Sequence, residues 1–262
     1  MMMIRKLTSA LCLFAGISTS LFAQNSRFAA DGVIEFEKSI NVYAILQKRV
    51  TDENSSFFTP MIEQYKKAQP QFKLLKSNLY FSKNKTLYKP IEDENATSND
   101  NFLSSDPAFK QINTTYIDVD THQQVTQKKV FEETFLVKDS TRAINWKITS
   151  ETREIAGYNC RRANALIMDS IYVVAFYTDQ IPVSGGPESF SGLPGMILGV
   201  ALPHENITWF AKKVTDKPIE SSVIMPPAKG KPATSKSLPI ILNSTFKQWG
   251  EEGKSYLKTF AL

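Results

Sequence analysis

The chain has 262 residues, 42% hydrophobic and 22% charged, with 31 Lys and Arg against 26 Asp and Glu and a formal net charge of +5. That is enough sequence to bury a core in one domain. Apart from Lys128-Lys129, Arg161-Arg162 and Lys212-Lys213 the basic residues are dispersed, which excludes the concentrated basic, aromatic-rich face of a nucleic-acid binder.

Residues 1–23 read as a cleaved export signal. Arg5 and Lys6 precede an apolar run over 7–17, and Leu21-Phe22-Ala23 offers a small-residue cleavage site before Gln24. The run is shorter than the about 20 residues a membrane span needs, and later apolar segments alternate with polar residues, so an integral membrane protein is not expected. Ser9 three residues before Cys12 is a poor context for a lipid-modified cysteine. The expectation is a periplasmic or secreted protein with one domain over 24–262. Loss of Cys12 with the leader leaves Cys160 alone, so no internal disulfide is available even in an oxidising compartment.

Along the mature chain the dominant pattern is β. A strand is expected at 33–36, after Asp31-Gly32. Phe57, Phe58, Met61, Ile62 and Tyr65 fall at helical spacing, with Pro60 acceptable only in the first turn. Leu79 to Phe81, Asn84, then Leu87 and Tyr88 read as a hairpin. Residues 92–107 are acidic and rich in Asn and Ser, which reads as a solvated loop. A calcium site there would lack the turn glycine of a calcium loop. Further strands are expected at 115–119, 125–137, 146–152, 154–167 (broken at Ala156-Gly157), 171–178, 196–200 and 207–214. The Pro-rich stretch 225–239 reads as an exposed excursion or hairpin tip, and 246–260 as a short helix weakened by Gly250 and Gly253. Long neighbouring strands accumulate twist, so the expected fold class is mainly β: a long, coiled antiparallel sheet, or half-open barrel, with one or two short helices.

Two blocks stand out. The first runs from Trp146 through Gly157, Tyr158 and Cys160 to Ala163. The second comprises Ile181-Pro182, Gly186-Pro187, Phe190 and Gly192-Leu193-Pro194-Gly195-Met196-Ile197-Leu198. Glycines and prolines at several fixed offsets resemble the signature of the GLPGLI family of Bacteroidetes envelope proteins, with Met196 in place of the usual Leu and Phe176-Tyr177 where a Trp-Tyr pair is expected. That family has no established reaction. More distantly, the Gly-Tyr-x-Cys turn and its flanking strands resemble the periplasmic lipoprotein carriers, which hold an acyl chain in the concave face of a half-barrel. This implies a ligand-binding trough here.

Read from the residues, Gly157 reverses the chain in a turn or bulge. Cys160 is either a buried small hydrophobe or a nucleophile, which would need His122 or His204 as base and Arg161 and Arg162 to favour the thiolate. Pro194-Gly195 suits a type II turn with Leu193 entering the core; alternatively the small residues permit close approach by a ligand or another chain. The polar loop 184–191, which carries Glu188, would then sit at the mouth of the trough. Asp169, Asp179 and Glu188 form a weak carboxylate set with nothing to fix their separation. Phosphate-binding, zinc-ligand and nucleophile-elbow motifs are missing, and neither cofactor nor metal is expected.

The ranking that follows is a non-catalytic exported envelope protein that binds an apolar ligand (a lipid or lipopeptide) or another envelope protein through the concave sheet and the signature loop. The alternatives are an accessory component of an outer-membrane transport system of the TonB-dependent type, and a hydrolase using Cys160.

Overall fold

The computed structural model describes residues 28–91, 109 and 113–262. The expected leader over 1–23 and the acidic stretch over 92–107 lie outside the described residues.

The expected fold class holds. Twelve strands form one long, unclosed sheet in the order β12-β6-β5-β4-β3-β2-β1-β11-β10-β9-β8-β7. They are β1 (Gly32–Asn41), β2 (Phe72–Ser82), β3 (Lys85–Pro90), β4 (Asn113–Asp118), β5 (Gln123–Val130), β6 (Glu133–Ser140), β7 (Lys147–Ile155), β8 (Tyr158–Ile167), β9 (Ile171–Thr178), β10 (Met196–Leu202), β11 (Ile207–Asp216) and β12 (Lys231–Ala233). Every pairing is antiparallel except β12 with β6.

Local chemistry sets the reversals. Lys83 and Asn84 both take positive φ between β2 and β3, and Ala156 and Gly157 do the same between β7 and β8, the geometry of type I′ hairpins. The segment 125–137, expected as one strand, is two. Phe131 at φ 51 turns the chain, so β5 and β6 pair from Val130↔Glu133 outward.

Four helices are described rather than one or two: α1 (Val42–Lys48), α2 (Ser55–Ala68), α3 (Ser237–Phe246) and α4 (Gly250–Ala261). In α2 the expected apolar spacing is present, with Ile62 and Tyr65 buried, but Phe57 is exposed and Pro60 sits beyond the first turn. α1 and α3 are too short for periodicity to announce them; packing makes them helical.

One face of the sheet carries the core. Ile34, Phe36, Lys38 and Ile40 of β1 alternate inward and are buried, while Glu35 is exposed. Three groups of elements cover this face. α1 and α2 lie over one part and the segment 181–195 crosses the middle, all within one cluster containing Leu46, Ile62, Phe36, Leu193 and Ile197. α3 and α4 lie at the other end, where Leu242, Phe246 and Phe260 pack on Val130, Phe135 and Val137. On the opposite face Ile219 and Ile224 pack on Tyr80, Leu87, Tyr116 and Val125. The Pro-rich stretch is therefore the end of a strap that leaves β11 in mid-sheet and reaches the far edge, where β12 runs parallel to β6. It is not a hairpin tip. At the other edge the sheet rolls: β7 comes back against β11, with the Arg153 guanidinium 4.8 Å from the Phe210 ring centroid.

Candidate functional site

The signature segment lies inside the fold. Ile181, Gly186, Pro187, Phe190, Leu193 and Gly195 are buried, whereas Pro182, Gly192 and Pro194 reach the surface. Expected as a polar loop at the mouth, 184–191 is instead a plug across the concave face. Its chain path is compressed by i→i+2 hydrogen bonds, from Val183 N to Ile181 O, Gly185 N to Val183 O and Gly195 N to Leu193 O, each at 2.8–2.9 Å. These are γ-turn bonds. The type II turn expected at Pro194-Gly195 is not formed; Gly195 has φ +145, and a Cβ there would stand 2.1 Å from the Thr178 carbonyl oxygen. Close approach to β9 has set the geometry.

The two sequence blocks meet at one bond. Trp146 Nε1 donates to the Ser191 carbonyl at 2.9 Å, and the indole lies beside Gly192. Gly157, Tyr158 and Cys160 belong to the rolled β7–β8 edge and line none of the described cavities. Cys160 is fully buried among apolar residues; its Sγ donates to the Tyr158 carbonyl at 3.5 Å, and burial pushes the thiol up to about 12. A group so shifted stays a thiol at neutral pH, and both histidines are exposed, His122 in a turn and His204 in the 3-10 helix Pro203–Glu205. The carboxylates do not converge either. Asp169 and Asp179 are exposed at opposite ends of β9, and Glu188 is buried. Eight extended residues separate the first two by about 26 Å.

What the structure does assemble is a polar row under the plug. Glu188, at φ 53 and 6% exposed, turns its carboxylate onto the sheet. Asn113 Nδ2 of β4 donates to Glu188 Oε2 at 2.9 Å, and Lys38 Nζ of β1 stands 3.9 Å from Oε1. Lys38 also lies 5.0 Å over the ring of Trp209, its cross-strand partner on β11. Nearby, Ser77 Oγ donates to the Tyr88 hydroxyl at 2.7 Å, and burial holds the Tyr88 phenol well above its ordinary value. Lys128 of β5 is paired in register with Asn113. Its ammonium donates to the Phe260 carbonyl, Arg142 donates to Ala261 O at 2.8 Å, and Ser189 Oγ to Leu262 O at 3.5 Å. Lys128 and Arg142 thus satisfy last-turn carbonyls of α4, which an unassisted helix end leaves open, and Ser189 reaches the residue that follows the helix.

Burial lowers Lys38, Lys128 (to about 8) and Arg142, and Glu188 partly offsets the first two. Removing charge from water is costly unless it is paired and hydrogen-bonded. Here Glu188 is a buried carboxylate that acts on both Lys38 and Lys128.

On either side of Glu188 and Asn113 lies a hollow of about 440 Å³, within the size range of small-molecule sites. The larger apolar wall belongs to the first, formed by Ile45, Phe58, Phe190, Ile207 and Trp209 from α1, α2, the plug and β11. The second runs under α3 and the last turn of α4. Lys38, Asn113, Lys128 and Trp209 were not singled out from the sequence. A signal for Lys38 exists: a lysine occupies the inward phase of Ile34, Phe36 and Ile40, where an apolar residue belongs. Among the described residues no cluster of His, Cys, Asp and Glu has metal-binding geometry.

Comparison with known proteins gives fold and little more. Residues 166–199, from the end of β8 through the plug into β10, match the family described as "Protein of unknown function (Porph_ging)". No curated protein matches. A solved structure of PNGF-II in space group P21 superposes with TM-score 0.50 at 16% identity, covering 81% of this chain and 33% of that one. A C2 crystal form of PNGF-II gives TM-score 0.50 at 14% identity, covering 79% and 31%. The chain thus spans about one third of the length of each PNGF-II structure. No described helix is long and apolar enough to cross a membrane.

Proposed function

We propose that this chain is a non-catalytic, exported envelope protein of the GLPGLI type that holds a ligand with an apolar body, a lipid or lipopeptide, in the hollow between the concave sheet and its helices. One observation carries the reading: a hollow of about 440 Å³, walled by Phe58, Phe190, Ile207 and Trp209, persists under three covering elements. Close-packed interiors hold few voids larger than a water molecule, so a gap of this size against aromatic side chains suits an occupant. The burial of Cys160 supports a role without chemistry at that residue.

Native mass spectrometry of protein purified without detergent tests the proposal, together with displacement of a fluorescent apolar dye by dodecanoate and dodecanol. A retained adduct and displacement by at least one of the two are expected. Ile45→Trp, which fills the hollow from a half-buried position, should abolish displacement, and Cys160→Ala should leave it unchanged. A clean apo mass with no displacement by either compound would end the proposal.

A further inference from the structure

The concave face changes character across the sheet. On β1 its inward positions are Ile34, Phe36 and Ile40 with Lys38 between them. On β4 and β5 the inward positions under the second hollow are Asn113, Thr115, Gln124, Thr126 and Lys128. Register gathers these side chains, with Asn113 opposite Lys128 and Thr115 opposite Thr126. Polar groups in the inward phase of neighbouring strands are costly beneath a packed apolar roof. Here the roof stands off: a hollow of about 440 Å³ separates this floor from α3 and α4. We propose that it is a second binding site, distinct from the apolar one, for a neutral, hydroxyl-rich molecule of the saccharide class. The apolar-ligand reading concerns the first hollow, and neither depends on the other.

The floor is built for hydroxyl groups. Thr126 Oγ1 donates to Thr115 Oγ1 at 3.3 Å and accepts from Gln124 Nε2 at 3.2 Å, while Gln124 Oε1 is buried without a partner. The bonds run through uncharged groups and stop at an acceptor. A ligand hydroxyl, donor and acceptor at once, continues such a chain. The cations that line the hollow are engaged with the protein itself, Lys128 with the Phe260 carbonyl and Arg142 with the Ala261 carbonyl. An anion would compete with those helix carbonyls. A wholly apolar ligand would strip water from Thr115, Gln124 and Thr126 and return no hydrogen bonds. Opposite the floor, Leu238 and Leu242 of α3 are apolar, and Leu166 and Met168 are exposed beside the hollow. A pyranose divides its surface in the same way, with hydroxyls around its edge and C–H groups on its faces. Access exists, because Ala143, Asn145 and Ser235 line the hollow from exposed positions. The volume falls within the range of small-molecule sites.

Saturation-transfer difference NMR on the whole mature chain tests this, with methyl glucoside, methyl mannoside and maltose as neutral probes and glucuronate as the charged counterpart. At least one neutral sugar should receive saturation and titrate, and glucuronate should bind no more tightly. The double variant Gln124→Leu/Thr126→Val should weaken binding by about tenfold or more, as expected when hydrogen bonds to a ligand go unmade, with an unchanged circular dichroism spectrum. Asn145→Trp obstructs the hollow from an exposed position, spares the floor, and should abolish binding even if the floor variant does not fold. Failure of all three neutral sugars to bind overturns the inference, and so does tighter binding of glucuronate than of any of them. Sugar binding that survives Asn145→Trp refutes the assignment to this hollow. Each of these outcomes is read separately from dye displacement in the first hollow, so either proposal can fail alone.

Discussion

Lys128 shows what burial does to a single residue here. Its ammonium is enclosed by β4, β5 and α4, near Glu188, Arg142 and Lys38, and it is shifted from 10.5 down to about 8. Burial is the principal cause; Glu188 opposes the shift, while Arg142 and Lys38 add to it. Below pH 8 the group is charged in folded and unfolded chains alike, and folding bears the full desolvation cost. Between pH 8 and 10.5 the unfolded chain holds more proton, so stability rises with pH in this window. Above 10.5 the contribution is level. Urea denaturation at pH 7.5 and 10.5 should therefore show the parent gaining on Lys128→Met as pH rises; parallel pH curves would contradict this account. From sequence alone Lys128 is half of an unremarkable Lys128-Lys129 pair. Only its register against Asn113 places one of the two inside.

At the scale of elements, the signature segment and the β7–β8 hairpin use glycine for different reasons. Gly157 has φ +82 with open space around it, so a side chain there meets only backbone strain of about 1–2 kcal/mol. Gly195 combines φ +145 with a Cβ position 2.1 Å from the Thr178 oxygen, so alanine must also displace β9. Gly195→Ala should cost more than Gly157→Ala in chemical denaturation, with a lower transition midpoint. Equal costs would mean that the plug can move away from β9. Such differences are only partly legible in a sequence. The clustering of Gly and Pro over 185–195 marks constrained backbone, while the alternation in β1 and the apolar, β-branched runs of β9 and β10 mark strands. The composition of 184–191 reads as an accessible polar loop at the mouth of the trough, because Ser and Glu are ordinarily exposed. Tertiary partners override that: Asn113 and the Trp146 indole donate the hydrogen bonds, and Lys38 supplies the charge, that make burial tolerable.

For the whole molecule, stability should fall from the middle of the sheet toward its edges. β9 and β10 are buried along nearly their full length, between the plug on one side and the rolled sheet on the other. β7 is an edge strand, exposed over most of its residues and lined with charge, including Glu151 paired to Arg162. Charged edges of this kind resist pairing with other chains. Hydrogen exchange followed by mass spectrometry should find β10 amides protected near the global limit and β7 amides opening far more readily; uniform protection would contradict the layered picture. The opposite edge is closed differently, by the short parallel β12 with Pro232.

By itself the sequence determined most of the strands, the turns at Asn84 and Gly157, and the prominence of the segment ending at Gly195, because hydrophobic patterning and backbone constraint are local properties. The tertiary structure alone decided that Phe131 splits a strand, that the Pro-rich strap runs to the far edge, and that Glu188 faces Lys38 and Asn113. Those outcomes depend on which residues, distant in sequence, share one face of a twelve-stranded sheet, and no local pattern encodes that neighbourhood.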